Sequence, residues 1–323
     1  MNDTSLFFWG DTGVGKKNNI IEKKSINIAN FEASVHLSQN KKKQKAYNLA
    51  LSRKDFDNSF LEDYAVFSVA NNHSFDGGLE SFNYIVEHLR LKEVKIIGLK
   101  QKPYTDVQLK EKKIRIVGCM QDAEKYSDLL YDVDDFSVSA DAWKKDVDML
   151  VCFVHWGYES EYVPYPEPAI RKLGKKLIDA GCDLIIGAHA HVSQPYEKYN
   201  GGRIYYSLGN ANYRVEEGDS YPASRKGICV KLSPDGTDHF MFSIDEKGNI
   251  DGKIDEKPKE LKQYSSFQYY SVAAPIYLKK NIRAFFRRIR MFGMKHFIIM
   301  VAWLIHYKTL KYYPFLLLRF LRK

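Results

Sequence analysis

Short apolar runs separated by polar turns recur along the first 245 residues. Those at 5–9, 64–70, 94–98, 114–119, 149–155, 183–187 and 203–208 are rich in Val, Ile, Phe and Tyr and bounded by turn residues, as expected of buried strands. Further strand candidates lie at 228–232 and 239–244. A period near 3.6 replaces the runs at 79–91, where Leu79, Phe82, Ile85, Val86 and Leu89 share a face. It returns at 168–180 with Ile170, Leu173, Leu177 and Ile178. Strands alternating with helices predict an α/β domain over 1–245, and the later strand-rich stretch predicts mixed rather than purely parallel sheets. No internal repeat is present.

Beyond that domain the pattern changes twice. Residues 246–277 are polar, with Gly and Pro, and read as a linker or an excursion at a sheet edge. From 278 onward, Leu278, Ile282, Phe285, Phe286, Ile289 and Phe292 recur on one helical face while Lys and Arg fill the other, predicting a basic amphipathic helical tail over 278–323. Its longest apolar run, Phe297 to Ile305, is well short of the about 20 residues that a spanning helix needs.

Charge sharpens this division. Of the 49 Lys and Arg, 12 lie in 279–323, which holds no Asp or Glu; the remaining 37 face 40 acidic residues in 1–278. The body is therefore mildly acidic, which argues against a nucleic-acid groove, and the basic excess belongs to the tail. The expected partner of 279–323 is an anionic membrane surface, the other reading being a helical hairpin packed on the domain or on a partner protein. The four cysteines form no C-x-x-C pair, and Met1-Asn2-Asp3-Thr4 has no basic leader pattern. Both features predict a cytoplasmic protein, peripheral on the inner membrane face.

Candidate chemistry begins with GDTGVGKK at 10–17, whose Gly10, Gly15 and Lys16 satisfy G-x-x-x-x-G-K. A P-loop needs Ser or Thr after the Lys and a helix to follow. Here Lys17 follows, residues 20–28 carry no helical stripe, and no apolar strand ends in a second aspartate suited to Mg²⁺. No nucleotide P-loop is expected. The Gly-Asp pair belongs to a different pattern: strand after strand ends in a metal-ligand type. These are Asp11, Asn72 and His73 in ANNHSFDGG, His155 in HWG, and His189 with His191 in GAHAH, and Glu32 in NFE supplies a further carboxylate. Carboxyl ends of strands converge in α/β sheets. Imidazole, carboxylate and amide donors together suit one or two divalent ions of the Mn, Fe, Zn or Mg kind.

At GD (10–11), NFE (30–32), SVANNHSFDGG (68–78), HWGYE (155–159) and the long block 177–210, the chain resembles the CapA-type capsule-synthesis (poly-γ-glutamate biosynthesis) proteins, a branch of the calcineurin-like metallophosphoesterases. The resemblance covers roughly residues 4–245. It implies a metallophosphoesterase-like α/β/β/α sandwich with mixed sheets. It also implies roles: Asp11 and His191 at a first metal, Glu32 bridging, Asn72, His155 and His189 at a second, and His73 as proton donor to the leaving group. Glu159, Ser207 and Asn210 would line the substrate pocket. The implied function is a metal-dependent phosphoesterase-type hydrolase or transferase in capsule or exopolysaccharide biosynthesis, or else a non-catalytic assembly factor of a membrane-bound polymer synthase. The chain departs from the usual pattern at Gly13, where metallophosphoesterases carry the His of D-x-H, in PEPAIRK (166–172), and at Ala211 of SLGNA.

Overall fold

Along Leu6–Thr12 (β1), Leu6 and Phe8 turn to one side and Phe7 and Trp9 to the other, and all four are buried. A strand with apolar side chains on both faces must lie between two layers. The computed structural model describes residues 4–13, 18–21, 25–37, 50–57, 63–157, 161–213 and 222–292. In chain order they form β1, Ile26–Phe31 (β2), Ser34–His36 (β3), Ala50–Ser52 (β4), Arg53–Asp57 (α1), Val66–Ser68 (β5), Gly78–Leu91 (α2) and Lys95–Ile97 (β6). There follow Tyr104–Leu109 (β7), Lys112–Met120 (β8), Val133–Lys144 (α3), Met149–His155 (β9), Pro168–Asp179 (α4), Leu184–Ala188 (β10), Tyr196–Tyr199 (β11) and Gly202–Tyr205 (β12). The last are Lys226–Ser233 (β13), Gly236–Ile244 (β14), Ile250–Ile254 (β15) and Ser266–Phe292 (α5).

Two mixed sheets result, of order β15-β14-β13-β1-β2-β5-β6 and β11-β12-β10-β9-β8-β7, besides the small parallel pair β3-β4. In the first, β1, β2, β5 and β6 are parallel, and β13 to β15 join antiparallel to them or to one another. In the second, β8, β9, β10 and β12 are parallel, and β7 and β11 close the edges antiparallel. Leu6, Phe8, Ile28 and Val66 of the first sheet meet Ile116, Val151, Phe153 and Ile186 of the second in a shared inner core. Helix α2 covers the outer face of the first sheet with Phe82, Ile85, Val86 and Leu89. Helices α3 and α4 cover that of the second through Phe136, Ala140, Ile170, Leu177 and Ile178. This is the α/β/β/α sandwich with mixed sheets.

Some elements lie where the hydrophobic pattern did not place them. INIANF forms β2 although Asn27 and Asn30 interrupt its apolar run, because both amides are buried with partners: Trp9 Nε1 donates to Asn27 Oδ1 at 2.9 Å, and Asn30 serves the site described below. Helix α3 has no strong stripe and is set by its ends instead. The Asp132 carboxylate accepts from Asp134 N at 2.8 Å, and such a cap is worth about 1 kcal/mol. The 246–277 stretch contributes β15 as an edge strand on β14, and α5 begins at Ser266, ahead of the expected Leu278. Val163, Tyr269, Ala273 and Ala274 form a small core that fixes the start of α5 to the domain. Among the described residues no helix is long and apolar enough to cross a membrane. Residues 293–323 of the expected tail lie outside the described residues.

Candidate metal centre

The parallel strands of both sheets point their carboxyl ends to one edge of the sandwich. Asp11 is the last residue but one of β1, Glu32 follows β2, Asn72 and His73 follow β5, His155 closes β9, and His189 and His191 follow β10. The two sheets meet there through a turn of the SLGN block: Asp11 N donates to Gly209 O at 3.0 Å, and Ala211 N to Asp11 O at 2.8 Å. Any Cβ at Gly10 would stand 1.7 Å from Gly209 O, so the Gly of the Gly-Asp pair is required by this crossing. Residues 14–17 of the P-loop-like stretch lie outside the described residues. The metal reading gives this stretch a test: Asp11→Asn should weaken metal binding and Lys16→Ala should leave it unchanged, both read by titration with Mn²⁺. Loss of binding in the Lys16 variant alone would overturn the reading.

Two groups of donors form, Asp11–Glu32–His191 and Glu32–His155–His189, each with its ligand atoms within 4.8 Å of one another, and Glu32 belongs to both. His155 Nε2 stands 2.6 Å from Asn72 Oδ1, 3.1 Å from His189 Nδ1 and 3.7 Å from Glu32 Oε1. His191 Nδ1 stands 3.8 Å from Glu32 Oε2. Six side chains named from sequence as ligands are thus brought together. Backbone strain marks the spot, since His189 has φ +95°.

The chemistry of Glu32 tests whether these residues fit a cation. It is fully buried, and neither carboxylate oxygen accepts a hydrogen bond. A buried carboxylate without donors is costly, and its usual resolution is a proton or a metal. Burial first and the nearby charge of Asp11 second hold Glu32 well above the ordinary carboxylate range. Asp11 is also raised by burial, against the lowering effects of His191 and of Asn30 Nδ2, which donates to Asp11 Oδ1 at 2.7 Å. Burial, then the charges of His189, His73 and His191, push His155 well below its usual value and keep it neutral, as a metal ligand must be. The residues fit divalent ions at adjoining positions with Glu32 between them.

His73 stands beside this cluster. Its Nδ1 lies 2.6 Å from Asp76 Oδ2 and its Nε2 3.9 Å from Glu32 Oε1, so the carboxylate fixes the ring with one nitrogen toward the site. Sequence reasoning quoted Asp76 within its motif without giving it a role. It also passed over Asn30, whose Nδ2 reaches Asp11 Oδ1 and stands 3.2 Å from His155 Nδ1. The signal was available: Asn30 and Glu32 sit two apart in NFE and share a strand face. Asn71 Nδ2 donates to Phe31 O at 2.7 Å, and Asn71 Oδ1 accepts from His73 N at 3.1 Å, tying the two ligand loops together.

The residues expected to line the pocket are placed differently. Ser207 is fully buried; its Oγ donates to Ala190 O at 2.7 Å and accepts from Gly209 N, bracing the crossing turn. Asn210 is buried behind His191, with Oδ1 2.9 Å from His191 Nδ1 and Nδ2 donating to Ser224 O. Glu159 lies outside the described residues. The cleft beside the second group, about 190 Å³, is lined by Asn72, Gln121, Tyr126, Trp156, Glu161 and His189 among others. A wider cleft of about 720 Å³ opens at the opposite edge, by Met149 and Leu184, away from these ligands. The wall at 161–166 is held from both sides. His191 N donates to Glu161 O at 2.7 Å, and Gln194 Nε2 donates to Val163 O and Tyr165 O. From the other side Tyr264 donates its hydroxyl to Pro166 O, and Tyr269 of α5 packs on Val163. His191 further has Tyr162 and Tyr213 against its ring, at 5.7 and 5.0 Å.

Comparison with known proteins agrees with the motifs. The family described as "Bacterial capsule synthesis protein PGA_cap" matches residues 9–213, which contain every described ligand candidate. The chain is similar to capsule biosynthesis protein CapA of Bacillus anthracis, 30% identical over 201 residues covering 56% of this chain and 48% of that protein. It is also similar to PGA biosynthesis protein CapA of Bacillus subtilis strain 168, 27% identical over 227 residues covering 65% and 58%. The chain thus spans about half the length of these relatives. Among solved structures, a phosphatase of Mycoplasma pneumoniae aligns with a TM-score of 0.48 at 14% identity, over 75% of this chain and 94% of that one.

Proposed function

The chain belongs to the bacterial capsule synthesis protein PGA_cap family, and from that premise we propose that it is a metal-dependent phosphoesterase-type hydrolase or transferase acting on a polymer precursor in capsule or exopolysaccharide biosynthesis. The observation that carries this reading is Glu32, a fully buried carboxylate without hydrogen-bond donors and shared by two three-residue ligand groups. When bound, divalent ions supply Lewis acidity to a phosphoryl oxygen and make a water nucleophilic near neutral pH. Asp11 and His191 would hold the first ion, Asn72, His155 and His189 the second, and Glu32 would serve both. His73 holds a proton at Nε2 for the leaving oxygen, while Asp76 fixes Nδ1 and thereby the ring's orientation. Trp156 and Tyr126 wall the cleft next to the second position. Turnover of bis(p-nitrophenyl) phosphate tests the reading: it should be lost with chelator and restored by one of Mn²⁺, Fe²⁺, Zn²⁺ or Mg²⁺.

A second reading, a non-catalytic assembly factor of a membrane-bound polymer synthase, draws on the basic C-terminal stretch. Such a factor would show no metal-dependent turnover and would co-purify with membrane partners. In the first reading residues 279–323 would bind the inner face of the plasma membrane, and in the second they would dock the membrane synthase. Each Lys or Arg near an anionic leaflet contributes about 1 kcal/mol, which salt screens. The Phe, Ile and Leu side chains add an apolar term that salt does not remove. The full-length protein should therefore sediment with phosphatidylserine vesicles, leave them partly in high salt and fully in detergent. A chain ending at Leu278 keeps Tyr269, Ala273 and Ala274 seated and should stay in solution. Full-length protein that fails to sediment at low salt would replace the membrane with a protein partner.

A further inference from the structure

Strand β8 runs parallel to β9 and ends at the same edge, yet no metal-ligand type follows it. Its last residue, Met120, pairs in register with His155, and Gln121 comes next. Gln121 N donates to His155 O at 3.0 Å, which ties this residue to the strand carrying a proposed ligand. Its side chain lines the cleft of about 190 Å³ together with Asn72, His155 and His189. The orientation of the amide is fixed. Gln121 Oε1 accepts from Gly157 N at 3.2 Å, and a backbone N–H can be met only by the oxygen end. Gly157, two residues after His155, has φ +91°, so the turn that aims this N–H suits glycine. What the side chain presents to the cleft is therefore its NH₂ group. Gln121 Nε2 has no partner among the described residues and is not sealed in the core. A half-buried amide with its acceptor engaged and its donors open is matched to an acceptor-rich ligand.

Resting on the phosphoesterase reading, we infer that Gln121 binds the substrate, its Nε2 donating a hydrogen bond to a phosphoryl oxygen of the phosphodiester seated in this cleft. An ionised phosphodiester offers acceptors and no donor, so an amide held donor-first recognises it where a carboxylate would repel it. Negative charge that grows on the phosphoryl oxygens during displacement strengthens the same bond. The bond adds a neutral donor, on a strand of its own, to a site otherwise built of ligands.

Inorganic phosphate is the probe. Its affinity is measured by titration calorimetry on full-length protein loaded with Mn²⁺, with chelated protein as the blank that removes binding by the basic C-terminal residues. Mn²⁺ per chain is counted in the same samples. Gln121→Met removes both the donor and the tie to Gly157. Gln121→Glu keeps an acceptor for Gly157 N and replaces the donor with an anion. Both variants should hold as much Mn²⁺ as wild type. Phosphate should bind about 10–100-fold more weakly to Gln121→Met, the loss expected of one hydrogen bond to a charged group, and more weakly still to Gln121→Glu. Affinity kept in Gln121→Glu but lost in Gln121→Met would make the side chain a brace for Gly157 and overturn the assignment. Wild-type affinity in both variants, or Mn²⁺-loaded wild type that binds no phosphate, would overturn it too. Wild type that takes up no Mn²⁺ contradicts the metal centre itself, a failure that the metal count tells apart, and the phosphate donor falls with it.

Discussion

Glu32→Gln should produce a protein that is more stable than wild type without metal and less stable with it. In the metal-free chain Glu32 is fully buried, lacks a donor on either oxygen and faces Asp11 across the site. Ionising it there is unfavourable, so its folded pKa lies above the ordinary carboxylate value. Between those two values the folded state keeps a proton that the unfolded chain has lost, and the stability of metal-free wild type falls as pH rises through this window. The amide has no charge to bury. The variant should therefore match wild type at acid pH, below the unfolded carboxylate value, and exceed it by about 1–3 kcal/mol at pH 7. Added Mn²⁺ should reverse the order: ligand at 100 times its Kd stabilises wild type by about 2.7 kcal/mol per site, whereas the variant lacks the shared ligand. Urea unfolding of chelated and Mn²⁺-loaded protein at several pH values measures both halves. A metal-free variant weaker than wild type at pH 7, or one stabilised equally by Mn²⁺, would show that Glu32 is a structural residue.

The second large effect concerns turnover. His73→Ala should lower hydrolysis of bis(p-nitrophenyl) phosphate by about 10²–10⁴-fold, the range for loss of a positioned proton donor. Metal content should not change, because His73 stands 3.9 Å from Glu32 at the margin of the cluster and belongs to neither donor group. Asp76→Asn leaves the imidazole in place while weakening what orients it, and should cost about 10–100-fold, the scale of an outer-shell partner. Metal lost together with activity in His73→Ala would make His73 a ligand and leave the leaving group without this donor.

The framework of the site was legible because the strands that carry it are buried on both faces. MLVCFVH and DLIIGA can only be interior strands, and a polar residue at the end of such a run stands out. Strands and helices whose burial depends on particular partners were harder to see. INIANF hides its strand character behind Asn27 and Asn30, which are tolerable inside only because Trp9 and Asp11 meet them. YTDVQL is an edge strand that alternates, burying Thr105, Val107 and Leu109 while Asp106 pairs with Arg115, so it never forms an apolar run. In the site itself, Asp11, Asn72, His155, His189 and His191 could be named from strand-end position and chemistry, and Glu32 from the NFE motif. Asp76 could not, since it matters through the ring it holds, and Asn30 was legible only through its spacing from Glu32. Asn30 reaches a histidine 125 residues away. Ser207 and Asn210 show the converse: the polar SLGN turn braces the crossing of the two sheets and stands behind His191.

Metal stoichiometry decides whether this strand-end cluster holds two ions with Glu32 between them. Full-length protein stripped by chelator and reloaded with Mn²⁺ is analysed for metal per chain beside Asp11→Ala, His189→Ala and Glu32→Ala. Two ions in wild type, one in each of the Asp11 and His189 variants and neither held firmly without Glu32 is the predicted result, following from the two ligand groups and their shared carboxylate. Wild type that binds no Mn²⁺, or the same content in all four proteins, would contradict it.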